Sequence, residues 1–176
     1  MTIQSTKELD QWHAKEDPWQ YETSPDDLRR KAILLSELPH HDFNDVLDIG
    51  CGQGFVTRDL PGRHVTGVDV SAEAIDKARR IQREGLTFKQ LSLFELAPPP
   101  ENKYDLVVIT GVLYPQYTGS ALNLVYRIVD GLLAEGGYLI SVHIDAWYRA
   151  RFPLLLVKQH FYGYREYTHR LEVYVK

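Results

Sequence analysis

Three glycines at alternate positions follow a short β-branched run in residues 46–55, which read VLDIGCGQGF. The run predicts a strand that ends in a turn made of Gly50, Gly52 and Gly54. Such a turn lets the backbone approach a bound molecule closely, because no Cβ atoms stand in the way. In an open parallel sheet, ligands bind outside the carboxyl ends of the strands, which is where this turn would lie. The segment therefore predicts a ligand-binding turn.

The spacing of these glycines distinguishes between classes of nucleotide ligand. Dinucleotide-binding turns read G-x-G-x-x-G and place a pyrophosphate over a helix N-terminus. Here the pattern is G-x-G-x-G, and Phe55 stands where the third glycine would be needed. Asp48, just before the turn, would repel a pyrophosphate, but its carboxylate suits a ligand that carries an ammonium and a sulfonium group. The spacing therefore disfavours an NAD-dependent oxidoreductase.

A second carboxylate, Asp69, ends the next predicted strand, nineteen positions after Gly50. At that place it can accept hydrogen bonds from both ribose hydroxyls of a bound nucleoside. The glycine turn and Asp69 together indicate a bound nucleoside more specifically than either feature alone, because a glycine turn by itself also occurs as a plain strand-to-helix connection.

Alternating strand-like and helix-like segments surround these residues. Their apolar periodicity predicts strands at residues 45–49, 64–70, 87–91, 104–110 and 138–144. Helices are predicted at residues 25–38, 55–60, 71–84, 120–133 and 147–158. Turns or loops are predicted at 98–100 and 136–137, and an antiparallel hairpin from 161–167 and 170–175. This order predicts an α/β fold with a doubly wound, mostly parallel, Rossmann-like sheet, an N-terminal helical cap and an antiparallel strand near the C-terminus.

Four segments together resemble the class I S-adenosylmethionine-dependent methyltransferases. VLDIGCGQGF is similar to their first motif, VTGVDVS to their second, KYDLVVITGVLYP to their fourth-strand motif, and LLAEGGYLI to the turn into their fifth strand. The resemblance covers residues 46–142. It implies a methyltransferase that binds S-adenosylmethionine and releases S-adenosylhomocysteine. No metal is expected, because His40 and His41 are adjacent in a predicted loop and not at ligand spacing.

The resemblance also implies a set of cofactor-binding residues. Asp48 and the glycine turn would hold the methionine portion, Asp69 the ribose, and Val70 the adenine face. Within residues 46–142 the set is Asp48, Gly50, Cys51, Gly52, Asp69, Val70, Ser92, Leu93 and Thr110. Many members of the family carry an Asp near Ser92, where this chain reads QLSLFEL.

The N-terminal segment EDPWQYETSPDDLRRKAILLSEL carries a second resemblance, to the NodS-type branch of that family. Those enzymes N-methylate deacetylated chitooligosaccharides in nodulation-factor synthesis. The matching residues are Asp17, Pro18, Trp19, Ser24, Pro25, Asp27 and Arg30. Arg30 could pair with the methionine carboxylate, since a guanidinium matches a carboxylate in a bidentate fork. Trp19 and Tyr21, together with Trp12, are expected to form part of a lid over the methyl group.

Three polar residues are predicted near the acceptor. Tyr114 follows the fourth strand, where acceptors bind in this fold. His143 and Asp145 end the fifth strand and alternate with Ile144, so they are expected to point to the same side of the sheet. A histidine that titrates near neutral pH is a candidate base. Tyr114, His143 and Asp145 are therefore the candidate catalytic residues.

Composition limits the partners. The 20 Lys and Arg against 24 Asp and Glu give a formal charge of −4, which disfavours nucleic acid, because duplex binding draws much of its affinity from basic side chains. No apolar run approaches the roughly 20 residues of a membrane span, and residues 1–19 lack the apolar core of a signal peptide. The expectation is a cytoplasmic monomer or homodimer with one domain: a cap at 1–42, a core at 43–145 and an acceptor-side segment at 146–176.

The leading hypothesis is N- or O-methylation of a small soluble acceptor, with an amino sugar or saccharide intermediate as the candidate. The alternative is a catalytically silent S-adenosylmethionine-binding scaffold or regulatory subunit. Carboxylates common in the family are missing near Ser92 and at Gly111, where the NodS-type branch usually has a Glu. A nucleic-acid methyltransferase is disfavoured, since residues 110–113 read TGVL where exocyclic-amine enzymes carry Asn/Asp-Pro-Pro-aromatic.

Overall fold

The apolar runs pair into one seven-stranded sheet in the order β3-β2-β1-β4-β5-β7-β6. The computed structural model describes residues 4–18, 20–97, 103–148 and 151–176. The strands are β1 (Asp45–Ile49), β2 (His64–Asp69), β3 (Leu86–Gln90), β4 (Tyr104–Thr110), β5 (Leu133–Ile144), β6 (Leu155–Tyr164) and β7 (Tyr167–Val175). Strands β1 to β5 pair in parallel, and β7 runs antiparallel to both β5 and β6. The predicted doubly wound, mostly parallel α/β fold is confirmed.

Helices cover the sheet. Those in the described residues are α1 (Thr6–His13), α2 (Pro25–Ser36), α3 (Ala72–Ala78), α4 (Pro115–Thr118) and α5 (Leu122–Leu132). The start of α2 follows the local signals, because Ser24 accepts a hydrogen bond from the Asp27 N–H and Pro25 occupies the first turn. None of these helices is long and apolar enough to span a bilayer.

The central strands β1 and β4 are buried on both faces, which explains their nearly unbroken apolar sequences. Val46 and Val108 pack in the cluster that includes Leu34 of α2, whereas Leu47 and Val107 pack with α5 on the opposite face. Since successive side chains of a strand point to opposite faces, the alternation places a helix layer on each side of the sheet. The carboxyl ends of the parallel strands are left open for a ligand.

Two predicted helices are wrong. Residues 55–60 form only one 3₁₀ turn, Thr57–Asp59, because Pro61 disfavours a helical conformation at Leu60. The described residues of the segment 147–158 are not helical: Pro153 cannot continue a helix, and β6 starts at Leu155, where it pairs with β7. Residues 149–150 of that segment, and the predicted loop at 98–100, lie outside the described residues.

Helix α3 and strand β5 also have bounds that differ from those predicted, because contacts with other segments decide where they begin and end. Helix α3 ends at Ala78 rather than at residue 84, and the Arg83 guanidinium further on donates to the carbonyls of Arg58, Leu60 and Gly62. Strand β5 begins before the predicted turn at residues 136–137, which is absorbed as an irregularity in its pairing with β4. The division of the chain at residues 42 and 145 stays a prediction.

Ser71 stabilises the N-terminal end of α3, and this contribution to stability can be tested. Its hydroxyl oxygen accepts a hydrogen bond from the Ala74 N–H and caps α3, and its hydroxyl donates to Asp10 of α1 at 2.7 Å. Ser71→Ala is expected to lower the free energy of unfolding by about 1–2 kcal/mol. Urea unfolding followed by circular dichroism measures the change. Ser120→Ala is the control, since Ser120 is an exposed loop serine, and an equal loss in both variants would contradict the capping role.

Candidate functional site

A cavity of about 710 Å³ opens at the carboxyl ends of the parallel strands. Its walls are the glycine turn after β1, the end of β2, the segments after β3 and β4, helix α1, and the β6–β7 hairpin. Its volume lies within the range of about 300–1,000 Å³ that is usual for small-molecule sites. The predicted ligand-binding turn therefore forms part of a real cavity.

The glycine turn has a backbone that only glycine adopts readily. Gly50 has a φ of +75°, and a Cβ there would lie 2.1 Å from Val112 Cγ2 of the segment after β4. The N–H groups of Gly50 and Cys51 both donate to the Val68 carbonyl, at 2.8 and 3.0 Å. These bonds tie the turn to β2 and bring it close to Asp69.

Asp69 is fixed by backbone hydrogen bonds on both carboxylate oxygens. Its Oδ2 accepts from the Gly52 N–H and its Oδ1 from the Ser71 N–H, each at 2.9 Å. The side chain lines the cavity. Carboxylate oxygens can each accept more than one hydrogen bond, so both retain capacity for a ligand hydroxyl.

Asp48 carries an unsatisfied oxygen at the base of the cavity. The residue is 1% exposed, and its Oδ2 accepts from the Thr57 hydroxyl at 2.6 Å. No described residue bonds Oδ1. Burial raises the pKa of the Asp48 carboxyl to about 6, the charge of Asp69 adds to the rise, and the Thr57 bond opposes it. A buried acceptor without a partner is costly, so the site is suited to a ligand that brings a donor or a positive charge.

The remaining predicted cofactor residues line the same cavity. Cys51, Val70, Ser92, Leu93 and Thr110 all contribute to its wall. Ser92 begins a 3₁₀ turn, Leu93–Leu96, in which its hydroxyl oxygen accepts from the Phe94 N–H and its own N–H donates to Glu95. The Ser92 hydroxyl oxygen is therefore already engaged in a hydrogen bond within this turn. Sequence reasoning missed Leu91 and Phe94, which flank this wall.

Arg30 reaches the cavity from α2 and is buried. Its Nε donates to Asp27 at 3.3 Å, and its guanidinium lies 5.2 Å from the Tyr21 ring centre. Tyr21 also lines the cavity, with its ring stacked on Phe55 at 5.4 Å. The structure thus brings Arg30 and Tyr21 together on one cavity wall, whereas Trp19 lies outside the described residues.

Tyr114 lies on the cavity wall, as predicted. Its hydroxyl oxygen accepts from the Ile144 N–H at 2.9 Å, and its ring packs edge-on against His143 and Trp147. Burial raises the pKa of the Tyr114 hydroxyl to about 12, so it stays protonated at neutral pH. A protonated phenol can donate a hydrogen bond to a ligand but cannot act as a base.

His143 does not lie on the cavity wall, which corrects the prediction of a catalytic base there. It is 1% exposed, its Nε2 accepts from the Leu113 N–H at 3.1 Å, and its Nδ1 lies 3.0 Å from the Ser141 hydroxyl. Burial, with smaller contributions from His169 and Arg170, lowers the pKa of His143 to about 3. Both ring nitrogens are engaged, so His143 fixes the segment after β4 instead of accepting a proton.

Asp145 is not among the residues that line the cavity, and its role beside the acceptor stays a prediction. Strand β5 ends at Ile144, and Asp145 belongs to the turn that follows. Its side chain is 41% exposed and accepts from the Arg170 guanidinium at 3.2 Å. His143 and Asp145 do lie on one side, as the alternation predicts, because Arg170 is the register partner of His143 and also pairs with Asp145, but that side is not the cavity wall.

Two further elements close the cavity, one in the predicted N-terminal helical cap and one in the predicted C-terminal hairpin. Helix α1 contributes His13, and it is held by the Gln4 N–H donating to the Gln116 carbonyl at 2.8 Å. The β6–β7 hairpin contributes residues 164–167 and His169. The sequence predicts this hairpin, and its residues 161–169 read FYGYREYTH, a dense run of aromatic and charged residues. Among the described residues, no group of three or more His, Cys, Asp or Glu side chains is placed to hold a metal.

Comparisons with known proteins agree with this geometry. A family model described as a methyltransferase domain matches residues 40–169. Nodulation protein S of Rhizobium tropici is 31% identical over 134 residues, which cover 72% of this chain and 55% of that protein. Trans-aconitate 2-methyltransferase of Rhodopseudomonas palustris (strain BisB18) is 35% identical over 128 residues, covering 70% of this chain and 48% of that protein. The chain thus spans about half the length of these curated relatives.

A solved structure shares the fold. The crystal structure of N-methyltransferase NodS from Bradyrhizobium japonicum WM9, in complex with S-adenosyl-L-homocysteine, superposes with a TM-score of 0.80. The superposition covers 97% of each chain at 21% sequence identity. Together with the family match and the relative from Rhizobium tropici, it confirms the predicted NodS-type, class I methyltransferase resemblance.

Proposed function

This chain belongs to the methyltransferase domain family, and we propose that it transfers a methyl group from S-adenosylmethionine to a nitrogen or oxygen atom of a small soluble acceptor. The observation that carries the proposal is the pairing of Asp48 and Asp69 at the ends of adjacent strands in one cavity. The unsatisfied Oδ1 of Asp48 suits the positively charged methionine end of this cofactor. The Asp69 carboxylate can accept hydrogen bonds from the hydroxyls of its ribose.

The cofactor site is proposed from residues that share the cavity wall. Arg30 would hold the methionine carboxylate, and Tyr21 with Trp19 would cover the methyl group. Val70, Ser92 and Leu93 would surround the adenine. The proposed set is Arg30, Asp48, Gly50, Cys51, Gly52, Asp69, Val70, Ser92, Leu93 and Thr110. The chemistry supplied by the bound cofactor is a methyl group made electrophilic by a sulfonium.

Positioning is the main contribution of the chain to this reaction. A displacement that begins at a sulfonium neutralises charge, so no new anion on the leaving group needs stabilisation, and orientation supplies most of the rate. Asp48 and Asp69 anchor the two ends of the cofactor. Tyr114 donates a hydrogen bond from a protonated hydroxyl and orients the acceptor, while the aromatic walls exclude water. Neither His143 nor Asp145 reaches the cavity to remove a proton.

An amino sugar or saccharide intermediate is the proposed acceptor. The cavity is walled by α1, by the segment after β4 and by the β6–β7 hairpin, which leaves room for a small molecule. Trp147, Tyr164 and Tyr167 line this end with aromatic rings. Nucleic acid is not proposed as a partner, and the chain is proposed to act in the cytoplasm as a monomer or homodimer.

A catalytically silent S-adenosylmethionine-binding scaffold is the second candidate, favoured by the placement of His143 and Asp145 away from the cavity. A methyl-transfer assay separates the two. The purified protein is incubated with methyl-labelled S-adenosylmethionine and a panel of amino sugars, simple amines and carboxylic acids, and calorimetry measures binding of S-adenosylhomocysteine and NAD. Transfer to a panel member supports the enzyme. Tight binding of S-adenosylhomocysteine without any methyl transfer supports the scaffold. Absence of S-adenosylhomocysteine binding contradicts both the enzyme and the scaffold.

The raised pKa of the Asp48 carboxyl predicts how cofactor affinity depends on pH. A bound ammonium favours the ionised carboxylate, so the pKa of Asp48 should be lower in the complex than its value of about 6 in the free protein. Affinity for S-adenosylhomocysteine is therefore expected to be constant above about pH 7 and to fall below pH 6, by up to about tenfold per unit. Calorimetric titrations between pH 5 and pH 8, in roughly half-unit steps, measure the effect. Asp48→Asn should bind weakly with a flat profile, and an unchanged slope in that variant would assign the titration to another group.

A further inference from the structure

His169 is a polar residue of the acceptor end to which the proposed mechanism gives no role. It lies on β7 opposite Ile144 of β5 and Tyr162 of β6, and its side chain lines the cavity while being only 5% exposed. The central position between two strands holds the backbone firmly. The imidazole is therefore presented to the cavity from a rigid part of the sheet.

The ring is held by two contacts that leave one nitrogen unengaged. Its Nδ1 lies 3.3 Å from the Tyr162 hydroxyl. Its face stacks on the Tyr164 ring with centres 4.0 Å apart and an angle of 22° between the planes. No side chain or backbone group among the described residues bonds Nε2. Nε2 is thus the polar atom of His169 that can meet a ligand.

Burial and nearby charges keep the imidazole of His169 neutral. Burial lowers the pKa of His169 to about 3, the positive charge of Arg30 lowers it further, and Asp27 opposes the change. If the Tyr162 hydroxyl donates to Nδ1, then Nε2 carries the hydrogen. In the other tautomer, Nε2 presents a lone pair. A ligand hydroxyl both donates and accepts, so it can bond Nε2 in either tautomer, whereas an ammonium or a carboxylate fits only one.

We infer that His169 is an acceptor-binding residue whose Nε2 holds a hydroxyl group of the acceptor. The inference rests on the proposed methyl transfer and adds the group by which the acceptor is recognised. The nearby rings are consistent with it, because Trp147 packs edge-on against Tyr114 and Tyr167, at 5.5 and 5.0 Å, on the same wall. Arg30 makes this end unfavourable for a second cation at His169. The residue acts in binding and takes up no proton.

Two cyclic primary amines, one with ring hydroxyls and one without, test the inference. The protein, saturated with S-adenosylhomocysteine, is titrated calorimetrically with D-glucosamine and with cyclohexylamine, a cyclic amine without hydroxyls. Glucosamine is expected to bind at least about tenfold more tightly, the factor that roughly one net hydrogen bond supplies. His169→Phe should remove most of that preference. His169→Gln, which can place an amide near the position of Nε2, should retain part of it.

Separate readouts distinguish the possible failures. Each variant should bind S-adenosylhomocysteine like the native chain, which shows that the cofactor site and the fold are intact. If His169→Phe does not fold, Tyr162→Phe removes the group that orients the ring and is expected to weaken glucosamine binding alone. Equal affinity for both probes, no binding of glucosamine, or an undiminished preference in the variants overturns the role of His169. Failure of the native protein to bind S-adenosylhomocysteine overturns the proposed function instead.

Discussion

Replacing Asp69 by alanine is expected to weaken S-adenosylhomocysteine binding by at least about 100-fold. The carboxylate accepts hydrogen bonds from the N–H groups of Gly52 and Ser71, so it shapes the turn as well as the proposed ribose site. Each charge-assisted hydrogen bond contributes about 1.5–3 kcal/mol, and a 100-fold change in Kd corresponds to about 2.8 kcal/mol. Loss of the ribose contacts alone therefore accounts for the expected effect. Calorimetric titration of the variant measures it.

A matched variant separates a local effect from a general loss of negative charge. Asp76→Ala removes a carboxylate from α3, where the side chain is 69% exposed and pairs only with Arg79 at 3.4 Å among the described residues. Its affinity should equal that of the native chain. Asp69→Asn keeps the size of the side chain but lacks the charge, and it should fall between the two. Native affinity in Asp69→Ala would show that the cofactor does not use this carboxylate.

Replacing Asp27 by alanine is expected to lower the free energy of unfolding by about 3–5 kcal/mol. Its side chain is fully buried and joins α2 to the β6–β7 hairpin. It accepts from Arg30 at 3.3 Å, from the Tyr164 hydroxyl at 2.9 Å, and from Arg165 at 2.8 Å. Removing one partner of a buried ion pair leaves the other charge buried without its partner, which carries this cost. The loss should appear both in stability and in the position of the hairpin.

Urea unfolding followed by tryptophan fluorescence measures the Asp27 effect. Asp26→Ala is the control, because Asp26 neighbours Asp27 in the same first turn and has no ion pair among those found in the described residues. It should cost no more than about 1 kcal/mol, the size of a helix-dipole contribution. Arg165→Ala should cost less than Asp27→Ala, since the Arg165 side chain is 37% exposed. Similar stabilities of Asp27→Ala and Asp26→Ala would contradict the role of Asp27 as the buried link.

The local sequence predicted the cofactor half of the molecule. Strand β4 has the bounds that its apolar run predicts, and β1 ends where the glycines begin. These features depend on neighbours in the chain: an apolar run buried on both faces, a backbone that needs glycine, and a carboxylate at a strand end. The placement of Asp48 and Asp69 in one cavity follows, because the carboxyl ends of adjacent parallel strands meet at one edge of the sheet.

Local patterns were weaker guides where pairing with distant segments decides the structure. Pro153 was available as a signal against a helix, but the length of β6 comes from its partner β7. Strand pairing between segments is a property of the assembled sheet, and local propensity describes it poorly. The same holds for α1, which docks on α3 through the bond between Asp10 and Ser71 and so reaches the cavity.

What the sequence by itself determined is the fold class and the chemistry of the cofactor end, since both arise from short motifs with fixed spacing. Only the tertiary structure decided which polar groups line the cavity. His143 and His169 are both histidines on central strands, and β5 and β7 pair side by side, with His143 opposite Arg170 and His169 opposite Ile144. One ring turns into the packed interior, where Leu113 and Ser141 engage both nitrogens, and the other lines the cavity. That difference depends on what surrounds each ring once the strands are assembled into the sheet, which no local pattern encodes.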